Sequence, residues 1–258
     1  MGKRKKRFTF EERVYTFEGS IEIERFRTGK PPDRGKKRQK HRKATPEDME
    51  RQNRYNKEKL VRRLIKGNFG EYDIFSTHTY LKGYRPSRKT ALRDRAKFME
   101  LCRAEYRKRG YELKWIARTE RGKRGAVHHH IIVNRIPDSD LILAQAWRKI
   151  QDSGRAVIVH LYEKGGYADL AVYLVKPDIE DEQGRPATWI RYSHSRNLEI
   201  PEPERNRTTR RRIVDPPQPL PGYYIDTDSI HQGKNKITGR EYLHFTMIKI
   251  TPRRGGPG

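Results

Sequence analysis

Three consecutive histidines, His128 to His130, lie in the segment 127–133, whose Val and Ile residues predict a β-strand. Residues i and i+2 of a strand face the same side, so we expect His128 and His130 to project together and His129 to face the other way. Two imidazoles at this spacing can share one metal ion. The alternative is that the histidines occupy a strand edge without a ligand.

A third metal ligand is expected from the neighbouring strand. The turn centred near Lys123 and Arg124 predicts a hairpin in which Glu120 lies opposite His128, on the face of both outer histidines. Two histidines and one carboxylate with open positions suit Mg²⁺ or Mn²⁺ acting on a phosphate better than a closed structural zinc site. The sequence alone does not choose between the two ions.

A tyrosine and a lysine, Tyr173 and Lys176, lie near the end of a predicted helix. Their i, i+3 spacing directs the phenol and the ammonium into the same space. A tyrosine with a pKa of about 10 needs a metal or a cation to act as a nucleophile at neutral pH. An amphipathic helix with a half-buried tyrosine is the alternative. Tyr167, about 120° away around the helix, is a poor second nucleophile, whereas Asp169 could reach the metal or be a helix-start acid.

These residues require elements that hold them together, and the pattern from residue 71 to 176 alternates strands with helices. The predicted strands span residues 72–80, 113–120, 127–134 and 156–162, and the predicted helices span 87–109, 139–151 and 167–176. The order β-α-β-β-α-β-α predicts an α+β fold. We expect a ferredoxin-like or RRM-like antiparallel sheet with helices on one face, plus one extra helix.

Composition restricts the functional class. The chain has 258 residues, with 59 Lys and Arg against 33 Asp and Glu, a net charge of +26. This excess indicates a polyanionic partner, by default nucleic acid. The single cysteine, Cys102, excludes a disulfide scaffold and a Cys-based zinc finger and suits a reducing cytoplasm. Because apolar runs are short, we expect no membrane span and a cytoplasmic protein.

Charge and proline content predict three segments: a basic N-terminal arm and helix (1–66), a central domain (67–200) and a Pro-linked C-terminal segment (201–258). Thr45 and Pro46 predict the start of a helix to about residue 66, with Met49, Leu60 and Leu64 on one narrow face. The cations expected to contact a nucleic-acid backbone are Arg51, Arg54, Lys57, Arg62 and Arg63. A solvated charged helix is the alternative.

The three histidines followed 43 residues later by Tyr173-x-x-Lys176 resemble the HUH endonucleases (His-hydrophobic-His), specifically the rolling-circle replication initiators of plasmids, filamentous-type phages and related mobile elements. Three further stretches are similar to the gene II-like subgroup: Ile74 to Tyr80, Thr119-Glu120 and Tyr192 to Leu198. His129 departs from the general pattern, in which a hydrophobic residue is more typical, but the subgroup tolerates histidine there.

The resemblance implies a site-specific DNA nickase and strand transferase. Tyr173 would attack single-stranded or extruded hairpin origin DNA and form a 5′-phosphotyrosine, while Glu120, His128 and His130 hold the metal and Lys176 neutralises the phosphate. Further expected DNA contacts are Thr77, Thr79, Lys123, Arg124 and Arg196. The alternative for the two threonines is that they are present only because threonine favours β-strands. No phosphate-binding loop occurs, so host helicase and polymerase are expected partners in a bacterial cytoplasm.

Alternative functions remain open at this point. A plasmid-mobilising relaxase or a single-strand transposase of the same superfamily is one, although relaxases usually carry the tyrosine upstream of the histidines. A non-catalytic basic DNA- or RNA-binding protein, with the sheet as its platform, is the other. Metal-dependent nicking, or metal binding by the hairpin, would distinguish the enzyme from the binding protein.

Overall fold

A computed structural model describes residues 9–28, 43–122, 124–161, 164–176, 192–209, 217–235 and 238–250. The chain divides into two compact units, one formed by residues 54–200 and the other by residues 1–53 together with 201–258. The expected division placed three segments one after another along the chain. In the structure, the second unit instead combines strands from both ends of the chain. Residues 1–8 and 29–42 of the expected basic N-terminal arm and the predicted contact residue Lys123 lie outside the described residues.

The described residues form strands and helices as follows. The strands are β1 (Phe10–Thr16), β2 (Ser20–Arg27), β3 (Ile74–Thr79), β4 (Trp115–Arg121), β5 (Val127–Val133), β6 (Arg155–His160), β7 (Ser193–His194), β8 (Glu204–Thr208), β9 (Tyr223–Lys234) and β10 (Glu241–Lys249). The helices are α1 (Pro46–Asn68), α2 (Arg88–Lys108), α3 (Ser139–Arg148) and α4 (Ala168–Val175), with a 3₁₀ turn at Lys164–Tyr167 before α4.

The larger unit contains an antiparallel sheet in the order β6-β3-β5-β4-β7. The predicted β-α-β-β-α-β-α order therefore folds with the first strand between the third and the fourth, as in a ferredoxin-like sheet. Together with the second five-stranded antiparallel sheet and the four helices, this confirms the predicted α+β class.

The two faces of this sheet are covered by different helices. Residues of α2 and α3 form one apolar core with Ile74, Ile131 and Val133. The C-terminal part of α1 and α4 form a second core against the opposite face, where Ile116 and Ile132 lie. Because strand residues alternate between faces, this division decides the surroundings of every side chain on β3, β4 and β5.

Helix α1 begins where its sequence predicts. The Thr45 hydroxyl accepts a hydrogen bond from the Asp48 amide (3.2 Å) and so caps the first turn. Its buried apolar face differs from the predicted one: Val61, Leu64 and Ile65 are buried, whereas Leu60 is 40% exposed. The packing of α1 against the sheet decides which face is buried. That face is rotated by about one residue from the narrow apolar face that the sequence predicts.

The hairpin of β4 and β5 has the predicted register. Glu120 pairs with His128, and Arg118 pairs with His130. The turn closes with hydrogen bonds from the Gly122 amide to Ala126 and from the Gly125 amide to Gly122, both 2.8 Å. Gly125 has a φ of 76°, a conformation that glycine adopts without steric cost.

The second unit is a five-stranded antiparallel sheet in the order β8-β1-β2-β10-β9. Its apolar core contains Ile21 and Ile23 from β2 and three residues of β10 (Leu243, Phe245 and Met247). The sheet thus combines β1 and β2 from the N-terminal part of the chain with β8, β9 and β10 from the C-terminal part. None of the helices in the described ranges combines the length and apolar character needed to cross a lipid bilayer.

Candidate active site

The outer histidines of β5 share one face of the sheet. The rings of His128 and His130 are stacked, with centroids 6.1 Å apart. His130 is nearly buried, stacks on Phe75 of β3 and has its Nδ1 3.1 Å from the hydroxyl of Thr77. Burial, together with the neighbouring His130, lowers the pKa of His128 and favours its neutral form. A neutral imidazole is the form that ligates a metal.

Glu120 lies at the centre of the site. Its Oε1 is 3.1 Å from His130 Nε2 and accepts a hydrogen bond from the Tyr173 hydroxyl (2.9 Å), and its Oε2 is 3.4 Å from Lys176 Nζ. Burial raises the pKa of this carboxyl, but the hydrogen bonds and positive charge around it outweigh burial and lower the pKa to about 2. Glu120 is therefore an ionised acceptor at neutral pH.

Tyr173 projects from α4 onto the same cluster. Its hydroxyl lies 2.6 Å from His130 Nε2 in addition to its bond to Glu120, and Lys176 Nζ lies 4.2 Å from the centre of the tyrosine ring. The predicted convergence of phenol and ammonium is thus present. Burial and the Glu120 carboxylate raise the pKa of Tyr173 above its usual value, so the phenol is protonated.

Arg118 joins the strand that carries Glu120 to the helix that carries Tyr173, and sequence reasoning missed it. Its side chain is only 1% exposed, and its guanidinium donates hydrogen bonds to the backbone carbonyls of Tyr173 (3.1 Å), Leu174 (3.0 Å) and Lys176 (2.6 Å). These carbonyls end α4, where helices leave acceptors without partners. One sequence signal was available: at position i−2 from Glu120, Arg118 must share its face.

His129 faces the opposite side, as predicted, and is fully buried. Its Nδ1 lies 2.8 Å from the Thr119 hydroxyl, and its Nε2 lies 3.0 Å from the Tyr80 hydroxyl, which donates to Asp94 at 3.2 Å. Burial lowers the pKa of His129 well below its usual value, and Arg95 adds to this effect. His129 is a neutral structural residue under the site.

The two other acidic or phenolic candidates lie apart from this cluster. Tyr167 is 3% exposed in the apolar core beneath α4, with a left-handed backbone (φ 60°) at the start of the helix. Asp169 is exposed in the first turn of α4. Neither contacts the Glu120 carboxylate in the part of the chain described.

The donor types of Glu120, His128 and His130 fit a hard divalent cation, and all three lie on one face of two paired strands. Their present arrangement is closed, however, because Glu120 Oε1 is bonded to His130 and Tyr173. Among the described residues, no three His, Cys, Asp or Glu side chains are arranged to hold a metal ion. Metal binding would require the carboxylate to turn away from these two partners.

The residues expected to contact DNA have differing environments. Arg51, Arg54, Lys57, Arg124 and Arg196 are exposed, and Arg62 is half-buried. Arg63 is only 9% exposed, so the expectation that it lies on an open basic face is wrong, because α1 packs this side against the sheet. Thr77 contacts His130, and the Thr79 hydroxyl donates to the Arg155 carbonyl at 3.4 Å.

The fold and the cluster define an α+β sheet protein in which a tyrosine meets a histidine and a glutamate across three elements. Residues 73–178, which include all of these groups, match the family model of the replication-associated protein ORF2/G2P. The match covers less than half of the chain, and it supports a role as a replication initiator. No curated protein and no solved structure gave a match.

Proposed function

We propose that this protein is a site-specific single-strand DNA endonuclease and strand transferase of the HUH type, which initiates rolling-circle replication. The observation that carries the proposal is the contact of the Tyr173 hydroxyl with Glu120 (2.9 Å) and His130 (2.6 Å) on a ferredoxin-like sheet. The Tyr80 hydroxyl also contacts a histidine and a carboxylate, but it is buried, whereas Tyr173 is half-buried beside the exposed Lys176, where a strand of DNA can reach it. The match of residues 73–178 to a replication-associated family supports the same assignment.

In the proposed reaction, Tyr173 Oη attacks the phosphorus of a DNA phosphodiester. A Tyr–O–P bond forms, the bond to the 3′ oxygen breaks, and the 3′ oxygen leaves as a hydroxyl after taking a proton. The phenolic proton passes to water, and water supplies the proton that the 3′ oxygen takes; Glu120 and His130, which contact the hydroxyl in this structure, position Tyr173 beside the residues that would hold the metal. The 5′-phosphotyrosine conserves the bond energy, so the same site can rejoin strands when a 3′-hydroxyl attacks it.

Lys176 is suited to neutralise the scissile phosphate. Its ammonium lies against the Tyr173 ring and near Glu120, and its side chain is 43% exposed, so it can move toward a bound strand. Arg118 holds the last turn of α4 and so keeps Tyr173 within reach of Glu120. Fixed placement of this kind reduces the entropy cost of the attack.

Glu120, His128 and His130 would hold the Mg²⁺ or Mn²⁺ ion, which would polarise the scissile phosphate. Thr77 would orient His130 through its Nδ1, leaving Nε2 directed at the site. Titration of the protein with Mn²⁺, followed by electron paramagnetic resonance, tests this set without an activity assay. The signal of bound Mn²⁺ should weaken in Glu120→Gln and stay unchanged in Glu199→Gln, an exposed control.

The substrate and setting follow from the same proposal. The net charge of +26 suits a DNA backbone, and a protein contacting roughly six to ten phosphates would lose about a thousandfold or more in affinity between low and moderate salt. The released 3′-hydroxyl would serve a host polymerase, with a host helicase separating the strands in a bacterial cytoplasm.

Transfer of label to the protein tests the proposal. Single-stranded oligonucleotides tiled across the origin region of its own replicon are labelled at the 3′ end, because Tyr173 would retain the 5′ phosphate of the downstream fragment. With Mn²⁺, wild type should become covalently labelled; EDTA and Tyr173→Phe should each abolish labelling. Tyr72→Phe, an exposed tyrosine outside the cluster, is the matched control.

Each other outcome has a distinct meaning. If wild type binds these strands without cutting any of them, the protein is a non-catalytic binding protein and the proposal fails. If Tyr173→Phe still acquires label, the nucleophile is a different tyrosine and the geometry of the cluster has been misread.

A further inference from the structure

A cleft of about 650 Å³ lies at the β7 edge of the larger unit, on the side of the sheet covered by α2. Arg103 and Arg107, one turn apart on α2, line one wall, and Arg196 lines another. Tyr173 contacts the opposite face of the same sheet. The cleft is therefore separate from the candidate active site.

Residues 192–198 complete this cleft. This polar stretch resembles a family motif, but it has no part in the proposed chemistry. Ser195 attaches it to β4: the Ser195 amide donates to the Trp115 carbonyl (2.9 Å), and the Trp115 amide donates to the Ser195 hydroxyl (3.0 Å). Asn197 donates to Glu112 (3.2 Å). These bonds leave Arg196 and His194 exposed at the rim.

The charges of the cleft are suited to an anion. Arg103, Arg107 and Arg196 are exposed, and none of them makes an ion pair with a residue in the described part of the chain. Glu112 is the acidic residue of the lining, and its carboxylate is engaged by Asn197. Three guanidinium groups around one cleft offer the charged, forked donors that bind phosphate oxygens.

Aromatic groups accompany these arginines. Tyr111 is 47% exposed in the lining, and His194 is exposed in the same lining. The indole N–H of Trp115, also in the lining, is buried and has no hydrogen-bond partner among the described residues. Buried tryptophan N–H groups normally have an acceptor, so one brought by a ligand would satisfy it.

We propose that this cleft is a second DNA site, which binds a single-stranded segment through its phosphates and stacks a base against its aromatic wall. Guanidinium groups interleaved with exposed rings are the combination that binds single strands, because every base presents a flat face. A duplex would present its backbone but keep its bases stacked inside. The proposal takes DNA as the ligand from the proposed function, but it does not depend on cleavage.

The test measures binding in the Tyr173→Phe background, so that no cleavage consumes the probe. Fluorescence anisotropy of a labelled dT₂₀ strand is recorded for this protein and for its Arg103→Ala/Arg107→Ala variant. We expect affinity to fall by about tenfold or more. The slope of log K against log salt should decrease by about 1.4, since each phosphate contact contributes about 0.7 on a single strand.

The matched control is Arg93→Ala/Arg148→Ala, which removes the same charge from exposed positions outside the cleft. Equal losses in the two double variants would overturn the proposal, because the effect would then be one of net charge. If the Arg103→Ala/Arg107→Ala variant loses affinity for a 20-base-pair duplex but not for dT₂₀, the proposal is also overturned. Thermal melting verifies that the variants fold.

Tryptophan emission supplies a second measurement. The measurement uses a Trp189→Phe background, because Trp189 lies outside the described residues; we expect dT₂₀ to quench the emission there and most of this quenching to be absent when Trp115→Phe is added, since Trp147 is buried in the core. Quenching that persists in Trp115→Phe would place the strand elsewhere. Covalent labelling of the wild type is scored separately, so the cleft and the nicking activity can each fail without the other.

Discussion

The two faces of the larger sheet hold the same residue type in opposite roles. On one face, His128 and His130 lie with Glu120 and Tyr173 in a partly exposed cluster of ionisable groups. On the other, His129 and His78 are fully buried beneath α2 and α3. Adjacent residues of one strand thus differ in their partners and in solvent access because the strand alternates its side chains.

The difference shows how the fold separates chemistry from stability. The buried face satisfies its histidines with hydroxyl groups, those of Thr119 and Tyr80 for His129 and that of Ser76 for His78. The site face instead brings a carboxylate, that of Glu120, directly to His130, beside the half-buried Tyr173. A substitution on the site face should change activity more than stability, and the reverse should hold on the buried face.

The largest expected effect is on cleavage by His130→Ala. Loss of a metal ligand that also contacts Tyr173 should slow cleavage by on the order of a thousandfold, or about 4 kcal/mol. Single-turnover nicking assays measure this rate, and His160→Ala, an exposed histidine on β6, is the control. If His130→Ala cuts DNA at the wild-type rate, the proposed difference between the site face and the buried face is wrong.

The reciprocal substitution, His129→Ala, should act on stability. It opens a cavity and removes the partner of Thr119 and Tyr80, so the free energy of unfolding should fall by about 3 kcal/mol. Urea denaturation measures the loss. Below the unfolding transition, the variant should nick within about threefold of wild type. A hundredfold loss of rate in the folded variant would contradict its assignment as structural.

Arg118→Met sharpens the comparison, since Arg118 lies on the site face but is buried. Loss of its bonds to the carbonyls ending α4 should reduce stability by about 2 kcal/mol and also slow cleavage, because Tyr173 loses its fixed position. Arg118→Lys keeps the charge but cannot reach three carbonyls, so it should retain only part of the stability and part of the cleavage rate. Urea denaturation and nicking assays measure the two effects. An unchanged urea denaturation curve for Arg118→Met would show that these hydrogen bonds do not stabilise the end of α4.

The smallest effect, taken per pH unit, is a pH dependence of stability from His78. Burial lowers the pKa of His78 to about 3, against about 6.5 in the unfolded chain, so the unfolded state binds the extra proton between these values. Stability from this residue is complete above about pH 6.5 and is lost as pH falls toward 3, by up to about 1.4 kcal/mol per pH unit.

The check is the slope of the unfolding free energy between pH 6 and pH 4 in wild type and His78→Phe. The phenyl variant should have a shallower slope by about one proton. Equal slopes in His78→Phe and wild type would indicate that His78 does not titrate on unfolding.

Much of the larger unit could be predicted from the sequence, because strand and helix periods follow from backbone geometry within a few residues. The alternation of β5 predicted that His128 and His130 share a face, and the hairpin turn predicted that Glu120 lies opposite His128. The i, i+3 spacing predicted that Lys176 reaches Tyr173. Each depends on neighbours along the chain or across one turn.

Only the tertiary structure decided the contacts between elements distant in sequence. Arg118 ends a helix that begins 50 residues later, and Glu120 contacts His130 and Tyr173 rather than standing apart as a ligand. The pairing of β1 and β2 with β8 and β10 likewise joins the two ends of the chain. Such contacts depend on which surfaces bury the most apolar area together, and no local pattern records that sum.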